Sequence, residues 1–225
     1  MAASQRMSRN LADRLADLIY PRKCVFCHRI MTQEPGVVCE RCRKSLPPAP
    51  DFRNRGEFYK RGVGVFAYTD DVRDSILRFK FSGCAFYADV YGKLLAKTVS
   101  EELAGKYDLI TFVPISFQRR FTRGSDQAEL LAKALGKELR QPVLRTSWKK
   151  RNTGRQSRLS GLAERRANIQ NAFRPYRPAR WAGKRLLLID DVLTTGATVS
   201  EVSRVLLSHG AAEVYCAFLA VTPNK

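Results

Sequence analysis

The chain has 225 residues, of which 44% are hydrophobic, and carries 40 Lys and Arg against 21 Asp and Glu for a formal net charge of +19. That length buries a full core in one or two domains, and no apolar run approaches the ~20 residues of a membrane-spanning helix, which argues against an integral membrane protein. The charge is uneven: residues 117–185 hold 19 Lys and Arg against only Asp126, Glu129, Glu138 and Glu164, a surface suited to nucleic acid or, equally, to the pyrophosphate of a small substrate combined with general solubility.

In residues 8–20, Leu11, Leu15, Leu18 and Ile19 share one face of a short amphipathic helix that Pro21 ends. Asp13, Arg14 and Asp17 break the apolar run, so it does not read as a secretory leader or an anchor, and a cytoplasmic location is expected. Next come Cys24-x2-Cys27 and Cys39-x2-Cys42. Each pair sets two thiolates on one side of a tight turn, and the two turns together complete a closed tetrahedron for a structural Zn²⁺. Four thiolates favour zinc over calcium or magnesium, and a cytosolic setting disfavours the disulfide alternative. His28 is surplus to such a site, and Cys84 and Cys216, which lack a CxxC partner, read as small apolar residues.

Pro47, Pro48 and Pro50 with the polar run after them make residues 46–61 a linker between a 1–45 zinc module and a 62–225 domain. From Gly62 the pattern is regular. Val63, Val65 and Ala67 suit a strand; Val72, Ile76 and Phe79 suit the inner face of a helix from Asp70 to Phe81; Val90, Leu94, Leu95 and Val99 suit a second helix from Phe86 to Leu103; and residues 108–114 suit a buried strand. Strands alternating with helices imply an α/β fold with a parallel sheet. After that strand, Arg119, Arg120 and Arg123 form a basic turn at the mouth of the sheet, where pyrophosphate could dock; a solvated surface loop is the other reading. Asp126 caps a helix running to Leu139. Residues 148–159 are basic and without periodicity, a lid-sized loop whose Lys150, Arg151, Arg155 and Arg158 could close on a leaving pyrophosphate or, with Trp148, contact a single-stranded nucleic acid.

The most informative stretch comes last. Leu186 to Ile189 form an unbroken apolar run suited to a strand buried on both faces; Asp190 and Asp191 follow it, and Val192 and Leu193 lead into Thr194-Thr195-Gly196-Ala197-Thr198. Val199, Val202 and Leu206 then fall on one helix face. Beyond a strand's carboxyl end, a helix start offers N–H groups and a positive dipole end to an anion. Gly196 allows close backbone approach, and the hydroxyls of Thr194, Thr195 and Thr198 can donate to a phosphate, whereas Asp190 and Asp191 repel it and suit a vicinal diol. The expected ligand is a sugar phosphate.

This stretch resembles the ribose-phosphate loop of the type I phosphoribosyltransferases, matching the apolar strand, two acidic residues and Thr-Thr-Gly-x-Thr at every position. The resemblance implies that Asp190 and Asp191 hold the ribose of phosphoribosyl pyrophosphate and that Val192 and Thr194 to Thr198 surround its 5-phosphate, with Mg²⁺ brought by the pyrophosphate. Over nearly the whole chain, the order of features is similar to the competence protein F (ComF/GntX) group. Supporting residues are Val113-Pro114, Arg123-Gly124 and Gln127, Gln156 and Leu159, Glu164 to Asn168, and Ala172-Phe173. The chain departs from that pattern at Ser125-Asp126, where the family has Phe-Asn, and an acidic side chain there would weaken anion binding if it faced the ligand.

The resemblance implies a type I phosphoribosyltransferase-like domain preceded by a zinc-binding module, in a protein associated with single-stranded DNA during natural transformation. Its implied partners are a competence helicase or other DNA-uptake proteins. Whether the chain catalyses pentosyl transfer is a separate question; if it does, a nucleophile attacks the anomeric carbon as pyrophosphate leaves. The alternative is a nucleobase-salvage phosphoribosyltransferase with no nucleic-acid role.

Overall fold

The computed structural model describes residues 21–31, 36–52, 57–81, 85–150 and 169–223, except for the side chains of Ala85, Arg119, Thr122 and Arg123. The helix expected over residues 8–20 and most of the basic loop from 151 lie outside these. The chain forms two compact units, one ending at Ser45 and the other beginning at Leu46.

In the first unit a tight turn carries Cys24 and Cys27, and the short helix α1 (Glu40–Ser45) carries Cys42. The turn is closed by hydrogen bonds from the N–H of His28 to the Cys24 carbonyl and from the N–H of Cys24 to the Arg29 carbonyl, both 2.9 Å. Val25, Phe26 and Met31 are the buried apolar side chains beside the cysteines.

The second unit runs β1 (Arg61–Ala67), α2 (Asp70–Phe81), α3 (Ala85–Glu102), β2 (Leu109–Phe112), α4 (Phe117–Arg123), α5 (Gln127–Leu139), β3 (Ser147–Lys149), β4 (Phe173–Pro175), a 3₁₀ turn (Pro178–Arg180), β5 (Arg185–Leu193), α6 (Ala197–Ser208) and β6 (Glu213–Val221). Four strands form a parallel sheet in the order β1-β6-β5-β2. Its central pair has nearly continuous apolar sequences, as strands covered on both faces require. Leu186, Leu188, Val214, Cys216 and Phe218 share a buried cluster with Val199, Val202 and Leu206 of α6. The residues alternating with them, Leu187, Ile189, Ala217 and Leu219, are equally buried and turn to the opposite face. Helices α3 and α5 pack closely enough at Gly92 that a Cβ there would lie 2.7 Å from that of Ala134.

Both sheet edges are extended by single bridges. Pro48 pairs antiparallel with Phe66, and Val143 pairs parallel with Ile110. Residues 47–49 therefore lie against β1, whose Gly64 leaves room for them: a Cβ at Gly64 would meet the Ala49 Cβ at 2.9 Å. Strands β3 and β4 form a separate antiparallel ribbon. Among the described residues no helix is long and apolar enough to cross a membrane.

Candidate functional site

Strand β5 continues four residues beyond its apolar run, so Asp190 and Asp191 belong to the strand itself. Pleating sends the two side chains to opposite faces. Asp191 meets Lys80 of α2 in an ion pair of 2.7 Å, with both side chains largely buried, at 15% and 20% exposure. Burial alone would lower Lys80, but the charge of Asp191 and, behind it, that of Asp190 raise it, so the ammonium stays charged. Lys80 was not anticipated as a site residue; its one sequence signal is that it falls four residues after buried Ile76, on the inner helix face.

Asp190 is in the opposite condition. Burial pushes its carboxyl up to about 8 and the charge of Asp191 adds to that, opposed by the Asp191 N–H, 2.9 Å from Oδ1, and by Lys80. The side chain keeps a partial opening to solvent, yet protein encloses it closely enough to remove most of its water. Asp190 therefore holds its proton far more strongly than an ordinary carboxyl, and in its protonated form it can donate a hydrogen bond as well as accept one.

Beyond the pair, the Leu193 carbonyl accepts from the N–H of Thr222, which ties the ends of β5 and β6 together. Gly196 then takes a left-handed φ of 78° and α6 starts at Ala197 without a side-chain cap. Among the described residues, no acceptor meets the N–H groups of Thr195, Gly196 or Ala197. These donors, with the helix dipole behind them, form an anion-binding corner. Further along α6, buried Glu201 accepts from the Asn171 N–H at 2.8 Å and pairs with Arg204, fixing the turn before β4 to this helix.

The basic segment after β2 folds as the helix α4 where a turn was expected. Arg120 pairs with Glu129 at 3.3 Å, and the side chains of Arg119 and Arg123 are not among those described. Glu129 also receives Lys133 and Arg145, at 3.0 and 2.8 Å. Asp126 is buried: its Oδ2 accepts from the Ile115 N–H at 3.0 Å and its Oδ1 from the Glu129 N–H at 3.3 Å. It caps α5 from inside the protein. Trp148 and Lys149, expected in a loop, lie in β3, and a parallel bridge between Lys149 and Ser116 sets the end of that strand beside the start of α4. Lys150 follows, exposed; Arg151, Arg155 and Arg158 lie outside the described residues.

In the first unit the Sγ atoms of Cys24, Cys27, Cys39 and Cys42 all lie within 4.8 Å of one another, with Cys27 and Cys39 3.7 Å apart. Zn–S bonds of about 2.3 Å in a tetrahedron require S···S edges of roughly 3.8 Å, so the donor set and its spacing fit a four-thiolate Zn²⁺. Backbone N–H groups support the sulfurs: Cys39 donates to Cys24 Sγ at 3.4 Å and Cys42 to Cys39 Sγ at 3.5 Å. With all four positions filled by protein the metal would be structural. His28 stays exposed, with a left-handed φ of 60°.

A family profile described as a phosphoribosyl transferase domain matches residues 94–225, and one described as a double zinc ribbon domain matches residues 15–52. The chain is 33% identical over 189 residues to DNA utilization protein YhgH of Escherichia coli, covering 79% of this chain and 76% of that one. It is 29% identical to competence protein ComFC of Bacillus subtilis, over 72% of this chain and 64% of that one. With competence protein F of Haemophilus influenzae the identity is 27%, over 85% and 93%. A zinc ribbon followed by a parallel-sheet phosphoribosyltransferase domain, matched by these relatives over most of its length, makes this chain a member of the ComF family.

Proposed function

We propose that the chain binds phosphoribosyl pyrophosphate with Mg²⁺ at the turn between β5 and α6 and serves the handling of single-stranded DNA during DNA uptake. The observation that carries the ligand half is the order of groups along eight residues. An acidic pair suited to a diol is followed, in the same strand-to-helix turn, by the open N–H groups of Thr195, Gly196 and Ala197. In this reading Asp190 and Asp191 hold the ribose hydroxyls, Val192 and Thr194 to Thr198 surround the 5-phosphate, and Lys80 sets the charge on the acidic pair. Mg²⁺ enters with the pyrophosphate and neutralises part of its charge. The DNA half is supported by the basic content of residues 117–185 and by the names of the relatives, a DNA utilization protein and competence proteins. The zinc ribbon weighs against plain nucleobase salvage, which has no evident use for it.

Calorimetric titration with phosphoribosyl pyrophosphate and Mg²⁺ tests the ligand site. Binding heat is expected for the natural sequence and none for Asp190→Ala/Asp191→Ala. Equal heats in the two proteins would remove the assignment.

A further inference from the structure

The ribbon β3–β4 and the turn that follows it are separate in sequence from the turn between β5 and α6. Trp148 and Arg174 stand directly opposite each other in the register, while Phe173, opposite Lys149, is fully buried. Trp148 and Arg174 therefore form the outer face, which alternation continues to Lys150 on one strand and Tyr176 on the other. Both large rings are exposed, Trp148 at 44% and Tyr176 at 37%. Arg177 follows in a left-handed conformation with its guanidinium 5.1 Å from the Tyr176 ring centre, and Arg180 ends the 3₁₀ turn. Tyr176, Arg177 and Arg180, with Val143, Leu144 and Arg145, line a cavity of about 290 Å³ that has no acidic residue in its wall.

The charge around this face is predominantly positive, with Arg145 of the cavity wall paired to Glu129. The described segments 139–150 and 169–189 contain no Asp or Glu. Among the described residues no carboxylate pairs with Lys150, Arg174, Arg177 or Arg180. Two open aromatic rings interleaved with unpaired cations are the elements of a single-strand binding platform, where bases stack and phosphates meet guanidinium groups. A solvated basic face would not need the rings exposed, and a protein-docking face would not be expected to lack acids throughout.

We propose that single-stranded DNA runs along the outer face of the β3–β4 ribbon, stacking bases on Trp148 and Tyr176 and setting phosphates on Arg174, Arg177 and Arg180. This rests on the single-stranded DNA half of the proposed function and gives it a place separate from the phosphoribosyl pyrophosphate turn.

Fluorescence anisotropy of the full chain with a labelled oligothymidylate of about 20 nucleotides tests it. Trp148→Ala and Tyr176→Ala should each weaken binding about 5- to 150-fold, and Trp148→Phe should restore most of the loss. Arg177→Gln/Arg180→Gln should lower the slope of log affinity against log salt by about 0.7 per arginine. All these variants should keep the calorimetric response to phosphoribosyl pyrophosphate, and Asp190→Ala/Asp191→Ala should keep oligonucleotide binding. If the natural sequence binds the oligonucleotide and the ring variants bind it equally well, the strand lies elsewhere and the placement is wrong while the broader reading stands. Binding to duplex DNA as tightly as to the single strand, or equal competition by polyglutamate, would reduce the face to a general polyanion surface and overturn the stacking. No binding of oligonucleotide by the natural sequence would sink both the placement and the DNA half of the function.

Discussion

Two helices begin at the same end of the sheet, after the neighbouring strands β2 and β5, and their starts are completed in opposite ways. Helix α5 has Asp126 in front of it, turned inward and bonded to the N–H groups of Glu129 and Ile115. Helix α6 has left-handed Gly196 in front of it and no side-chain cap. The acids nearby differ in the same sense. Asp126 has two backbone donors, whereas Asp190 has one and faces the charge of Asp191. A helix start whose donors are met inside the chain is a structural joint. One whose donors remain open keeps them for an anion, and its surroundings carry the strain.

The cysteine module takes the first arrangement to its limit, because every thiolate points at the other three. The largest effect should therefore come from metal removal. Structural zinc contributes on the order of 10–16 kcal/mol, whereas Val25, Phe26 and Met31 together supply only about 5–9 kcal/mol of burial against the ordering entropy of the module. Chelation should abolish amide-exchange protection in residues 22–31 and 37–45 and leave that of β5 and β6 intact. Persistent protection in the module would show that the thiols do not need a metal. Next in size, Asp126→Ala removes a cap worth about 0.5–2 kcal/mol and leaves the Ile115 N–H without its acceptor at a further ~1–3 kcal/mol. A drop of about 2–4 kcal/mol in denaturant unfolding is expected. A change under about 0.5 kcal/mol would mean that Asp126 is not a joint.

How much of this was legible in the sequence depends on the distance over which each feature is determined. The helices around Val72–Phe79 and Leu131–Leu135 follow from local periodicity, and the structure has them at Asp70–Phe81 and Gln127–Leu139. The acidic pair and the glycine turn are contiguous in sequence, so their proximity needs no fold. Strand β6 was not anticipated although it is central. Its run from Val214 to Val221 has no alternation to set its period and no glycine or proline within it to mark its ends. The ribbon β3–β4 joins strands of three residues, too short for any period, across more than twenty residues of chain, so Trp148 read as part of a loop. Lys80 did not stand out in the sequence, because only the packing of α2 against the end of β5 brings it to Asp191.

The open helix start gives the two smaller predictions, and the first is a pH effect. The Asp190 carboxyl is raised from the ordinary 3.8 to about 8 in the folded chain, so its burial leaves stability untouched below pH 4 and lowers it progressively as pH rises toward 8. Asp190→Asn, which cannot ionise, should match the natural sequence at pH 4 and exceed it by a margin that widens with each pH unit up to pH 8. A difference that is the same at both pH values would show that the strain is not electrostatic. The smallest effect on stability belongs to Gly196→Ala, since a β-carbon at a φ of 78° costs only about 1–2 kcal/mol. Its effect on the ligand should be larger than its size suggests. Relaxing that φ swings the N–H groups of Gly196 and Ala197 away from a common point, and losing two charge-assisted hydrogen bonds should weaken phosphoribosyl pyrophosphate binding by at least tenfold. Asp126→Ala should do the reverse, lowering stability more and affinity less. The two variants should thus exchange rank between an unfolding curve and a binding curve. If they keep the same order in both, the two helix starts are not used differently.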